Sequence, residues 1–151
     1  AVAALRPSSA GRRSGNRRVL WLLGASDDVE GRLAREGALE DAGALTEREV
    51  QVVLVGDGLG KECERTCGRN VKVSCISWAE SMQGAAPDPT MVFCMNTGLG
   101  TLDPDVVQAW VPRLLVVLAG RDTVLAMTCR CEAEAAAEAG LLRRLGAKPL
   151  V

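Results

Sequence analysis

The residues best placed by type and spacing to do chemistry are Gly56, Asp57, Gly58 and Gly60, which follow the apolar run 51–55 as Gly-Asp-Gly-Leu-Gly. Glycine admits positive φ and lets backbone approach a ligand closely, so a strand closed by Gly-x-Gly-x-Gly can seat a nucleoside cofactor. Glu80, just past the next apolar run, is then the carboxylate that would hold the ribose hydroxyls. The same glycines also make ordinary tight turns. The loop is not a P-loop, because Lys61 is followed by Glu62 rather than by Ser or Thr.

The nucleoside cofactor this pattern suits is S-adenosylmethionine, so one function to test is a degenerate or active methyltransferase-like small-molecule binder. Against it, such folds open with the glycine-loop strand, whereas here a strand and a helix precede it. Other catalytic sets are incomplete. The chain has no His, which removes Ser-His-Asp and Cys-His pairs. Asp27 and Asp28 follow Ser26 at a helix start, where they read as cap and dipole partners. Of the six cysteines (Cys63, Cys67, Cys75, Cys94, Cys129, Cys131), several lie in apolar runs and read as reduced, buried thiols. Cys63-x-x-x-Cys67 with Cys129-x-Cys131 is the one spacing that could close a zinc site, yet without His we assign no metal. Cys129-Arg130-Cys131 precedes a helix, where a thiol pKa can fall, but inert thiols are the preferred reading. No catalytic residue and no cofactor is assigned.

Composition narrows the partners. The chain has 151 residues, 48% of them hydrophobic and only 3% aromatic, so its core is built from small aliphatic side chains. That length supports one domain with a core of its own. The net charge of −1 supplies no field to gather nucleic acid or anionic lipid, and direct nucleic-acid binding is not expected. No apolar stretch approaches the roughly 20 residues a membrane span needs, which leaves at most a peripheral place on a membrane complex.

Residues 1–18 differ from the rest. They hold Arg6, Arg12, Arg13, Arg17 and Arg18 among Ser, Gly and Ala, with no acidic residue. An Arg-rich, acid-poor leader is the composition of organelle transit peptides, so this arm reads as a mature start after processing and as a partner-binding segment. The Ala-Val-Ala-Ala start favours the plastid stroma over the mitochondrial matrix. An arm of this composition is disordered unless something holds it.

From 19 to 151 the pattern alternates strands and helices. Strands are expected at 19–23, 51–55, 71–78, 91–95 and 123–128, with a further start at Leu150 and Val151. Helices are expected at 29–42 (stopped by Gly43), 61–67, 111–119 (with Pro112 in its first turn) and 132–145 (closed by Gly146). In the last helix, Glu132, Glu134 and Glu138 precede Arg143 and Arg144, an order that complements the macrodipole. The alternation predicts an α/β fold: a single Rossmann-like three-layer domain with a mostly parallel sheet.

The stretch Pro87-Asp88-Pro89-Thr90-Met91-Val92-Phe93-Cys94-Met95-Asn96-Thr97-Gly98-Leu99, then Trp110-Val111-Pro112-Arg113, then 123–128 with Glu132-Ala133, resembles the C-terminal domain of mitochondrial splicing suppressor 51-like proteins. The resemblance spans about 19–147, with specific motifs in 87–133, and lacks the zinc-binding MYND finger that members often carry. It implies a Rossmann-like domain, a strand-end turn at Asn96 and Gly98, a helix entrance fastened by Trp110 and Pro112, and roles in translation or assembly without an agreed enzymatic activity. The expected function is therefore a non-catalytic accessory or assembly subunit, a binding scaffold in a photosynthetic, respiratory or translational organellar complex. Its expected partners are protein subunits of that complex.

Overall fold

A computed structural model of the chain describes residues 2–5, 17–39, 48–67, 69–119 and 123–148. In chain order its elements are β1 (Val2–Leu5), β2 (Arg18–Leu23), a π-helical turn (Asp27–Gly31) running into α1 (Arg32–Arg35), and β3 (Val50–Val55). Next come a 3-10 turn (Lys61–Cys63), β4 (Arg65–Cys67), β5 (Val71–Ile76), α2 (Trp78–Met82), β6 (Met91–Met95) and a 3-10 turn (Leu99–Thr101). The last elements are α3 (Pro104–Ala119), β7 (Val124–Thr128) and α4 (Glu132–Arg144). The chain is α/β with mostly parallel strand pairs, and it divides into two compact units, Arg12–Thr90 and Ala1–Gly11 with Met91–Val151.

In the unit Arg12–Thr90, β2, β3 and β5 are parallel and β4 lies antiparallel against β5. Short runs of Val and Leu suit strands covered by other elements. Val52, Leu54, Val71 and Val73 are buried in one cluster with Ala25, Ala34, Cys63 and Cys67, and Leu20, Leu22 and Cys75 pack against it. The register aligns Leu23 with Val55 and Val55 with Ile76, so three parallel strands end level with one another. The segment before β6 is tied along β2. The Trp21 indole N–H donates to the Pro87 carbonyl at 3.1 Å, and the Thr90 N–H and hydroxyl both donate to the Val19 carbonyl at 2.8 Å.

In the other unit, β6 and β7 pair in parallel from Met91–Val124 to Met95–Thr128. On the far side of β7, β1 pairs antiparallel, Val2 opposite Thr128 and Leu5 opposite Leu125. The first residues of the expected free arm are thus a strand held by the protein's own β7. Val92, Cys94, Leu99, Leu114, Leu125, Met127 and Leu142 are buried in this unit.

Several expected elements take a different form. Residues 61–67 are a 3-10 turn and a strand rather than a helix, because 65–67 finds hydrogen-bonding partners on β5. The strand expected to reach Trp78 stops at Ile76, where Ser77 caps α2. The helix expected at 29–42 is the π-helical turn and α1; 40–43, like Leu150 and Val151, lies outside the described residues.

Pro112 is not in a first turn: α3 starts seven residues earlier than the sequence suggests, and Pro112 falls in its interior. Asp103 starts the helix by accepting from the Asp105 N–H at 2.9 Å. Proline there removes the bond to the Gln108 carbonyl, but Pro112 and Gln108 are both exposed, so water can satisfy that oxygen. Pro112→Ala should restore the bond and raise stability by about 1–3 kcal/mol, read from the urea midpoint.

Candidate functional site

Level strand ends bring together the loop after β2 (24–28), the Gly56–Gly60 loop after β3, and the Ser77 turn after β5. This is the edge where open parallel sheets receive ligands, and it holds the five residues of the Gly-x-Gly-x-Gly reading, Gly56, Asp57, Gly58, Gly60 and Glu80. The structure gives four of them local work.

Gly56 is buried, and a Cβ built there would lie 1.8 Å from the Ala25 carbonyl oxygen. Its glycine is needed for close packing of two adjacent strand ends, whose backbones are tied by Gly24 and Ala25 N–H groups donating to the Val55 carbonyl. Gly58, at φ +77°, has open space around a virtual Cβ and serves the turn. The Gly60 N–H donates to Asp27 Oδ1 at 3.4 Å. Asp57 is exposed.

Glu80 turns back on its own helix: its Oε2 accepts from the Ser77 N–H at 2.7 Å and the Ser77 hydroxyl at 2.8 Å, while the Glu80 N–H donates to Ser77 Oγ. This is a capping box. The backbone bond from Ser77, then the hydroxyl, hold the Glu80 carboxyl below the ordinary range, with Lys61 adding to the effect.

Asp27 is engaged as well. Arg35 clasps it through both guanidinium ends, at 2.6 Å to Oδ1 and 3.1 Å to Oδ2. That pairing first, and the Gly60 N–H second, hold its pKa below the usual carboxylate value. Glu30 repeats the pattern of Glu80, accepting from the Ser26 N–H at 2.9 Å and the Ser26 hydroxyl at 3.3 Å.

The unit containing β6 has a comparable edge. Asn96 (φ 46°) and Gly98 (φ 73°) form the strand-end turn expected of them, and the Asn96 N–H donates to the Thr128 carbonyl. Trp110 lies inside α3, half-buried, rather than at its entrance. Gly100 lets the 3-10 turn approach α4, since a Cβ there would sit 2.5 Å from the Glu134 carbonyl oxygen.

Sequence reasoning missed the residue that organises this edge. Glu138 is 3% exposed, not a solvated dipole partner. Its Oε1 accepts from the Thr97 hydroxyl at 2.8 Å and the Gly100 N–H at 3.2 Å, and its Oε2 from the Cys129 thiol at 2.9 Å. Burial, and then Glu138, push the Cys129 thiol up to about 11, the reverse of a thiol activated by a helix N-terminus. Burial and the same carboxylate push Cys94 up to about 12. A signal was present, because Glu138 lies four residues before buried Leu142 on one helical stripe.

The six cysteines are free thiols, and among the described residues no group of three or more Cys, Asp or Glu is placed to hold a metal ion. Of the arm's arginines, Arg17 bonds the Gln51 side chain and lies 3.6 Å from Glu49, and Arg18 is exposed at the start of β2. Arg6, Arg12 and Arg13 lie outside the described residues. No helix among the described residues is long and apolar enough to cross a membrane. Comparisons with protein-family models, curated proteins and solved structures give no match to this chain.

Two outcomes follow from this geometry. Gly56→Ala should destabilise by at least about 2–3 kcal/mol through overpacking against Ala25, and Gly58→Ala by about 1–2 kcal/mol through its positive φ alone, both read from urea midpoints. Glu138→Ala should cost about 3 kcal/mol by stranding three donors. Glu138→Gln, which keeps an acceptor for Thr97 and Gly100, should cost less and lower the Cys129 pKa. Its alkylation rate at fixed pH should then rise about tenfold per unit of pKa lost.

Proposed function

We propose that this protein is a non-catalytic accessory or assembly subunit that binds other proteins of an organellar complex. The observation that carries this reading is the outer face of α3. Beyond exposed Pro104, Asp105 and Gln108 in its first turns, its exposed residues are Ala109, Pro112, Leu115, Val116 and Ala119, none of them charged, while Leu114 and Val117 fill the core side. A helix apolar on both faces ordinarily has both covered. The reading gains support from the strand-end carboxylates, because Glu80, Asp27, Glu30 and Glu138 are spent on caps and loop ties.

The finer parts of the reading travel with it. The fold is a single Rossmann-like three-layer domain, supported by strands and helices alternating within each unit. The resemblance to splicing suppressor 51-like proteins adds roles in translation or assembly, consistent with the Asn96–Gly98 turn. The arginines of 1–18 contribute to partner binding, and their acid-free setting supports import, to the plastid stroma ahead of the mitochondrial matrix.

A second reading, a methyltransferase-like binder of S-adenosylmethionine, is favoured by one observation: the space over Gly58 is open beside the end of β5. In that reading Glu80 exchanges its bond to Ser77 for ribose hydroxyls.

The deciding comparison is the native mass and co-purification of untagged protein against Leu115→Glu/Val116→Glu and against Arg→Gln at the five arm arginines. Substitution is preferred to deletion of 1–18, which would also remove β1. The accessory reading expects the wild type in a large complex, with release by the α3 variant while its circular dichroism is unchanged. A wild type that runs alone and gains thermal stability with S-adenosylmethionine favours the second reading and ends the first.

A further inference from the structure

The pairing of β4 with β5 has a consequence for two cysteines. Its register sets Cys67 opposite Val71, Thr66 opposite Lys72 and Arg65 opposite Val73. Continued past the end of β4 into the 3-10 turn Lys61–Cys63, the same register points to Cys75 as the neighbour of Cys63. Cys63 is buried in the apolar cluster that holds Val71 and Val73, and Cys75 packs against it. The Lys61–Cys63 turn packs against β5 there, which sets Cys63 beside Cys75. Directly opposed residues of antiparallel strands have Cα atoms about 4.5–5.5 Å apart, within the span of a disulfide.

We infer that Cys63 and Cys75 are a disulfide-forming pair, a redox-modification site that closes under a small hydroperoxide and ties the Lys61–Cys63 turn to β5. The reaction balances as follows. The Cys75 sulfur, half-buried and the only one of the two with solvent access, attacks one peroxide oxygen, breaks the O–O bond and becomes a sulfenic acid, releasing the other oxygen as water from hydrogen peroxide or as an alcohol from an organic hydroperoxide. The Cys63 sulfur, 0% exposed, then attacks the Cys75 sulfur, forms the S–S bond and displaces the second oxygen as water. The two thiol protons and two electrons end on the peroxide oxygens. A hydroperoxide suits the site because it is small enough to reach a half-buried thiol.

Burial and the neighbouring Cys63 push the Cys75 thiol well up, so little of it is thiolate near neutrality. The bond therefore forms slowly, and since a thiol of raised pKa is also a poor leaving group, it is cleaved slowly. The pair acts as a latch rather than a fast sensor. Its closure fixes the Gly56–Gly60 loop from its far end, through Cys63, whose thiol otherwise donates to the Gly60 carbonyl.

The test treats the untagged full chain with hydrogen peroxide, digests it without reductant and maps it by mass spectrometry, with exposed Cys131 as the internal control for oxidant delivery. The expected product joins the Cys63 peptide to the Cys75 peptide with loss of two hydrogens and is undone by reductant. It disappears in Cys63→Ser and Cys75→Ser and persists in Cys131→Ser. The wild-type map decides the matter even if a variant misfolds. Cys75 joined to any other cysteine overturns the inference, as does Cys75 sulfinic acid beside a free Cys63, or oxidised Cys131 with no Cys63–Cys75 link at any dose.

Discussion

Backbone amides and hydroxyls at the ends of parallel strands and at the starts of helices need acceptors, and in this protein helix glutamates supply several of them. Glu30 reaches back to Ser26, Glu80 to Ser77, Glu134 to the Arg130 N–H at 3.2 Å, and Glu138 to Thr97 and Gly100. The same amides can instead receive an anionic ligand. Here carboxylates of the chain itself bond several of these donors.

That constraint shapes both units. After β2 and β5 the glutamates act within about one helical turn: Glu80 and Ser77 form a reciprocal cap, while Glu30 accepts from Ser26 and the Val29 N–H returns a bond to the Ser26 hydroxyl. Glu138 works at longer range, joining the loop after β6, the loop after β7 and α4 in one buried node. An uncompensated carboxylate in that setting would be costly. Three donors converge on it, and burial together with the carboxylate keeps the thiol among them protonated. The glycines complete the arrangement: Gly56 and Gly100 are places where another segment's backbone passes too close for a Cβ.

Other features lie on the surface. α3 carries apolar side chains on the face away from its core contacts, and its interior proline is accommodated because the carbonyl it frees is on that same solvent side. The thiols of the β4–β5 pairing add a covalent possibility to a unit otherwise held by small aliphatic packing.

Much of the architecture was legible in the sequence. The runs at 19–23, 51–55 and 91–95 are short, apolar and followed by glycine or asparagine, and local sterics suffice to make them strands with tight ends. α4 is equally local, since Ala, Glu and Leu favour helix and Gly146 stops it. Asn96 and Gly98 announced a left-handed turn because few other residues tolerate one. Tertiary structure decided what depends on a neighbour. Three residues at 65–67 are a strand only because β5 offers its edge, and Pro112 sits inside a helix only because its freed carbonyl faces water. Gly56 is required by Ala25, which is distant in sequence. Glu80 and Glu138 look alike as helix glutamates, yet one caps its own turn at the surface while the other is buried under two loops. Hydrogen-bond donors brought together by the fold settle that difference, and local sequence does not encode where they will meet.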